Sequence, residues 1–289
     1  MRAGRPSGWL PALAVLLAVQ PATAPAQQEA PKKDIVVRAP DGRTAQEARR
    51  FVRQVATARE GQLSRFAAPV CPLVVGLAPP SNAAIENRIR QVAAEASVKQ
   101  GKPQCAANLL LVVAQDADAF VTATRRRLPG IFNDLPAAEL SRALKSGPVH
   151  AWNSVEVQNE DGERISGATD EGVKILVVRR ASRMFETTQQ VVWRSVLVIN
   201  AQALAGKTLT QLADYAAMRT LAGARPPERP GGPDTILTLF DDGPPPPAQM
   251  TDVDRGFLRG LYRTRPNGRA ITETHTIVRS IVKQTQVPQ

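Results

Sequence analysis

Leu73-Val74-Val75-Gly76-Leu77, then Pro79-Pro80-Ser81 with a run from Asn82 to Lys99, then Asn108-Leu109-Leu110-Leu111-Val112-Val113-Ala114 set the architecture of this chain. The two outer runs are short, continuous and apolar, the pattern of buried strands. Between them Ile85, Ile89 and Val92 recur at helical spacing, Ser81 is placed to cap the helix, and Gly101 with Pro103 ends it. Strand, helix and strand in that order predict a right-handed parallel crossover.

The sequence on either side extends this into one α+β domain over 44–263. Upstream, Thr44 to Arg59 places Ala48, Phe51, Val52 and Val55 on one helical face, with Arg49, Arg50 and Arg53 elsewhere. Downstream, Asp116 to Leu128 and Pro136 to Lys145 read as helices and Val149 to Gln158 as a strand. Val173 to Arg180 and Val191 to Asn200 read as an antiparallel pair joined through Glu186 to Gln190. Thr208 to Ala222 is a helix whose only charged residues are Asp214 and Arg219, so it belongs in the core, and Gly223 stops it. After a Pro/Gly loop and a short apolar run, Thr235 to Phe240, Thr251-Asp252-Val253-Asp254 caps a last helix that turns Val253, Phe257, Leu258, Leu261 and Tyr262 inward. Residues 264–289 read as a basic tail. Residues 27–43 read as a flexible segment, with Ile35-Val36-Val37 either free or a loosely held edge strand.

The N-terminus points to export. Arg2 and Arg5, an apolar stretch from Trp9 to Val19, and Ala24-Pro25-Ala26 follow the order of a secretory signal, residues 1–26. That apolar stretch is too short to cross a bilayer core, which needs about 20 residues. Cleavage after Ala26 removes Arg2 and Arg5 and takes the net charge from +11 to +9. In an oxidising compartment the two cysteines, Cys71 and Cys105, are expected to pair. The closed loop would remove about 3.8 kcal/mol of unfolded-chain entropy. A redox role would call for close C-x-x-C spacing, which is missing. The expected location is the periplasm or the medium.

Composition limits the chemistry. The 289 residues hold 43% hydrophobic and 22% charged side chains, enough for a core, but only two histidines and 4% aromatics. Sites built from several imidazoles are therefore excluded. Gly206-Lys207-Thr208 closes a relaxed phosphate-loop pattern that begins at Ala201, follows a strand and opens a helix. A phosphate loop relies on amides converging on the anion, which glycines favour, and Gln202 to Ala205 contains none. The plainer reading is a glycine turn with Thr208 as N-cap.

The order of elements, together with Thr235-Ile-Leu-Thr-Leu-Phe240 and Met250-Thr251-Asp252-Val253-Asp254 through Leu258, Leu261 and Tyr262, resembles the zincin metallopeptidases. It is similar above all to exported zincin-like proteins that have lost metal ligands. The resemblance implies a mixed sheet with a β-α-β start, an antiparallel strand pair, a central buried helix and a capped C-terminal helix. If Gly223 stands for the glycine of the zinc helix, the ligand positions fall on Ala216 and Thr220 and the general base on Ala217. Methyl groups and a hydroxyl neither grip zinc nor take a proton from water. The resemblance thus implies a scaffold without a metal and without a catalyst. An α+β domain of other ancestry is the competing reading.

Other constellations are sparse. His150 and His275 lie far apart, no G-x-S-x-G elbow exposes a serine, and Asp241-Asp242 borders a poly-proline loop. The charge gathers at Arg49, Arg50 and Arg53 and at Arg125, Arg126 and Arg127. Nucleic acid is disfavoured, because no aromatic side chains interleave with these groups. An anionic membrane surface or an acidic envelope protein suits them better, and arginine enrichment of a GC-rich genome accounts for them equally. The expected function is non-catalytic binding in the cell envelope, without cofactor. The alternative is an enzyme, either a nucleotidase on Gly206, Lys207 and Thr208 or a hydrolase with an unrecognised site.

Overall fold

Ala48, Phe51, Val52 and Val55 bury one face of α1 (Gly42–Val55) against the rest of the chain, as their spacing requires. The structure, a computed structural model, describes residues 42–164, 166–168, 174–179, 185–229 and 231–286. The proposed signal and most of the segment after it lie outside the described residues. A small hairpin of β1 (Ala58–Arg59) and β2 (Gln62–Leu63) follows, then β3 (Arg65–Phe66) and the crossover β4 (Pro72–Val75), α2 (Pro79–Glu95) and β5 (Leu109–Ala114). β4 and β5 pair in parallel, with Leu73 opposite Leu110 and Val75 opposite Val112.

Ser81 does not cap α2. The helix starts at Pro79, preceded by Ala78 without a side-chain cap, because two prolines at its first positions have fixed φ and no amides to satisfy. Asn82 instead ties the entry, exchanging hydrogen bonds with the Leu77 amide (3.3 Å) and carbonyl (3.1 Å). β4 is an edge strand, so Leu73 and Val75 remain about 40% exposed rather than buried. Glu86 of α2 accepts from the Val74 amide at 2.8 Å, which removes one open donor from that edge.

Next come α3 (Ala117–Arg127), capped by Asp116, α4 (Ala137–Ala143), β6 (Val149–Asn159), the short pair β7 (Ser166–Ala168) and β8 (Lys174–Ile175), and β9 (Thr188–Asn200). The antiparallel partner of Val191 to Asn200 is β6, not residues 173–180. β9 is buried along most of its length and needs a neighbour of matching reach. β6 supplies it from Val149 opposite Ile199 to Asn159 opposite Thr188, whereas Val177 and Val178 stay exposed. The other edge of β9 takes β5 in parallel at Ser195–Asn200 and β3 at Val191 and Val192. A bulge places Ser154 opposite Arg194 and Val155 opposite Val192, so Trp193 is the extra residue. That shift puts Val192 on the same face as Leu197 and Ile199 despite the odd spacing.

The sheet separates two cores. Leu109, Leu111, Leu197 and Ile199 face α1, α2, α5 (Leu209–Leu221), α6 (Asp252–Arg263) and α7 (Ala270–Thr285). Trp152, Val196 and Val198 face Ala117 and Val121 of α3 and Ala143 of α4. The α+β class and the buried helix are as expected, and so is the capped helix: Thr251 and Asp254 form a reciprocal capping box at the start of α6.

The reading of 264–289 as a tail is corrected. α7 buries Glu273, Ile277, Val278, Ile281 and Val282 and packs closely on α6. The close approach uses Gly256 and Gly260, where a Cβ would come within 2.5 Å of the Ile281 Cα and 2.6 Å of the Ile277 Cα. Glu273, inside the segment read as a tail, meets Arg65, 208 residues away, in a buried ion pair.

Cys71 and Cys105 form the expected disulfide, their Cα atoms 5.9 Å apart, tying the start of β4 to the loop before β5. Among the described residues no helix is long and apolar enough to cross a membrane.

Candidate functional site

α5 is positioned by its first turn. Thr208 Oγ1 accepts from the Gln211 amide (3.1 Å), Gln211 Oε1 accepts from the Thr208 amide (3.0 Å), and Gln211 Nε2 donates to the Pro247 carbonyl (2.9 Å). One turn on, the fully buried Asp214 accepts from Arg88 Nε (2.7 Å) and Nη2 (3.1 Å) and from the Met250 amide (2.6 Å). This carboxylate locks α5 to α2 and to the approach of α6. Its lone pairs are committed to protein donors, so it is a structural charge.

Ala216, Ala217 and Thr220 are wholly buried in this helix, and the Thr220 hydroxyl donates back to the Ala216 carbonyl at 2.6 Å. The positions assigned to ligands and base by the zincin comparison therefore face side chains of the core. The cleft opens one turn further along, around Arg219, Ala222 and Gly223, and has a volume of about 250 Å³. Its other walls are Val149, Ala151, Asn153 and Val155 of β6, Arg59 and Thr57, Glu139 and Arg142 of α4, and the loop Ala224 to Pro226 with Glu228. Gly223 holds φ +58°, a backbone region that favours glycine, and a Cβ there would lie 2.6 Å from Asn153 Nδ2. Thr57 Oγ1 donates to the Gly223 carbonyl at 3.0 Å and pins this corner.

Four arginines approach the cleft, each held differently. Arg59 makes a bidentate pair with Glu139 and donates to the Asn153 carbonyl of β6 at 3.0 Å. Arg219 lies over the Tyr215 ring and donates to its hydroxyl at 2.6 Å. Arg225 donates through its backbone amide to the Val55 carbonyl (2.8 Å), and its buried Nε has no partner. Arg142 is exposed and unpaired among the described residues. With Glu139 neutralised by Arg59, three guanidinium groups face one exposed carboxylate, Glu228. The cleft is therefore electropositive, and a carboxylate or phosphate is the natural complement of planar guanidinium donors.

Two titratable groups beside Arg219 are displaced from their ordinary ranges by burial. Burial pushes the Tyr215 phenol up, with Arg219 pulling it down, so at neutral pH it stays protonated and accepts from Arg219. Asp241 is likewise pushed up by burial, pulled down by the Arg219 guanidinium and pushed up again by the neighbouring Asp242 carboxylate.

The two imidazoles remain apart. His150 is buried on the α3 and α4 side of the sheet, its Nδ1 2.9 Å from the Ala143 carbonyl and its Nε2 3.0 Å from Asp118 Oδ1. Asp118 also accepts from Ser146 Oγ at 2.6 Å, so it stands between serine and histidine and leaves no serine–histidine contact to activate a nucleophile. His275 is exposed on α7, in the opposite layer. Among the described residues no group of three or more His, Cys, Asp or Glu is arranged to hold a metal ion.

The Gly206-Lys207-Thr208 turn spends its amides internally. Ala201–Leu204 is a short 3₁₀ turn, and the amides of Gln202, Ala205, Lys207 and Thr208 donate to Asn200 Oδ1, the Gln202 carbonyl, the Leu204 carbonyl and Gln211 Oε1. The convergent cradle a phosphate needs is absent from it. Arg125, Arg126 and Arg127 are exposed in the last turn of α3, where they complement the helix dipole. Arg49, Arg50 and Arg53 are exposed on α1 in the other layer, so the two arginine groups do not share a surface.

Arg59, Arg142, Arg219 and Arg225 come from four separate segments with no common spacing, and the sequence held one partial signal for them: Arg219 is one of only two charges, with Asp214, on a largely apolar helix. No family model, curated protein or solved structure matches the chain.

Proposed function

We propose that this chain is an exported, non-catalytic binding protein of the cell envelope, located in the periplasm or secreted, with a zincin-like layout that has lost its chemistry. The observation that carries this reading is the contrast at α5. Where a metal helix would present imidazoles, Ala216, Ala217 and Thr220 are sealed in the core, while the adjoining cleft presents guanidinium groups. Recognition of a small anionic ligand, such as a di- or tricarboxylate or a short acidic peptide, follows from the charge and size of the cleft. The disulfide and the absence, among the described residues, of a helix able to span a bilayer are compatible with export.

The test uses the chain from Gln27, which carries every described residue, titrated with citrate and with tri-glutamate. Isothermal titration calorimetry reads the binding. Saturable binding is expected, weakened about tenfold or more by Arg142→Ala, since a hydrogen bond between charged groups contributes roughly 1.5–3 kcal/mol. Binding of both probes that is indifferent to Arg142→Ala, or no binding of either, would sink the cleft as the ligand site.

A further inference from the structure

A second recess lies between α1 and α7. It has a volume of about 630 Å³, with Ala45, Val278 and Val282 among its apolar walls and Arg49, His275, Arg279 and Lys283 at its edges. Among the described residues no carboxylate lines it. Elsewhere arginines meet acids, as in Arg65–Glu273, Arg88–Asp214, Arg255–Glu95 and Arg269–Glu186. Here Arg49 and Lys283 have no partner among the described residues, and Arg279 makes only a 3.4 Å contact with Thr276 Oγ1. Arg50 and Arg53 extend the charge along exposed positions of α1, against a single exposed carboxylate on that helix, Glu47.

The pattern along α7 adds an apolar component. Ile271, His275, Val278 and Val282 follow one another at spacings of four, three and four residues along one face of α7; Val278 and Val282 are buried at 4% and 5% exposure, His275 is exposed, and Ile271 at the outer end is 71% exposed. An exposed isoleucine beside unpaired Arg and Lys suits a lipid interface, where the apolar side chain enters the acyl boundary and the long cationic side chains reach the headgroups. An acidic protein partner would satisfy the cations but would not account for an exposed isoleucine in line with an apolar recess.

We infer that the α1–α7 face docks on an anionic lipid surface, with headgroup phosphates on Arg49, Arg50, Arg53, Arg279 and Lys283 and with Ile271 entering the acyl boundary. This face is separate from the arginine cleft, and neither proposal depends on the other.

Co-sedimentation of the chain from Gln27 with phosphatidylglycerol/phosphatidylcholine vesicles, and with pure phosphatidylcholine vesicles, tests the inference. Binding is expected to the anionic vesicles only, and to be lost at high salt. Each cation near an anionic surface contributes roughly fivefold in partitioning, so Arg49→Ser/Arg279→Ser/Lys283→Ser should bind about a hundredfold more weakly. The control Arg125→Ser/Arg126→Ser/Arg127→Ser removes the same charge from the opposite layer and should stay close to the parent. Ile271→Ser alters an exposed side chain and should weaken binding about tenfold. Equal losses in the two triple variants would reduce the effect to net charge and overturn the inference, as would no binding to anionic vesicles at low salt. Arg49-dependent binding to poly-glutamate in place of vesicles would also overturn it, assigning the face to a protein partner.

Discussion

Glu273→Ala removes one half of the best-buried ion pair in the described structure. Glu273 is 2% exposed and Arg65 4%. Glu273 accepts from Arg65 Nη2, from the Leu63 amide (3.1 Å) and from Thr264 Oγ1 (2.9 Å). Arg65 also donates to the carbonyls of Leu261 (2.7 Å) and Thr264 (3.1 Å). The pair therefore joins β3, the end of α6 and the first turn of α7. Without the carboxylate a guanidinium is left in the interior with its charge uncompensated, a change that costs roughly 3–5 kcal/mol. For a domain of this size that lowers Tm by roughly 6–20 °C, at about 2–4 °C per kcal/mol. Arg65→Met alone should cost a similar amount, while Arg65→Met/Glu273→Leu should recover most of it, because an apolar replacement of both partners is close to neutral. Thermal and urea melts of the four proteins give the coupling directly. A single-variant loss under about 1 kcal/mol, or a double variant as damaged as the two singles summed, would refute the view that this pair holds α7 in place.

Three further predictions concern the rest of the scaffold. Gly260→Ala forces a Cβ to within 2.6 Å of the Ile277 Cα, so overpacking of about 1–3 kcal/mol should outweigh the roughly 1 kcal/mol helix-propensity gain; an unchanged or raised urea midpoint would mean that α6 and α7 are not in such close contact. Cys71→Ala/Cys105→Ala should lower stability by about 3.8 kcal/mol at most, and a variant as stable as the parent under oxidising conditions would dismiss the disulfide as a stabiliser. The Asp118 carboxyl is held below its ordinary range chiefly by the Ser146 hydroxyl, with help from the Gly147 amide and His150. Its folded value lies below its unfolded one, so its contribution is complete above the unfolded value of about 3.9 and is lost as pH falls through the folded value. Asp118→Asn should flatten the acid limb of the stability curve, and parallel acid limbs for the two proteins would contradict this.

Local rules made much of the fold legible. Continuous apolar runs gave β4 and β5, the Thr208 and Thr251 caps gave α5 and α6, and the near absence of charge on α5 gave its burial. The Ser81 cap was misread for a local reason, the two prolines before it, but the other misreadings depended on a partner far away in sequence. Val177 and Val178 are apolar enough for a strand, but β9 is matched instead by β6, whose reach only the register reveals. α7 lay hidden in the basic segment read as a tail, and the burial of its Glu273 makes sense only beside Arg65. The cleft was barely legible, with Arg219 its one partial signal, since its arginines are brought together by the sheet edge, the end of α5 and the loop after Gly223. The α1–α7 face was half visible, as Arg49, Arg50 and Arg53, and its other half lay in what read as a tail.

Elemental analysis of the chain from Gln27, purified without chelators and dialysed, tests the central claim most directly. A non-catalytic envelope protein on this scaffold should carry no stoichiometric transition metal and should acquire no peptide-hydrolysing activity when zinc is added. One tightly held zinc per chain, retained through dialysis, would contradict the account.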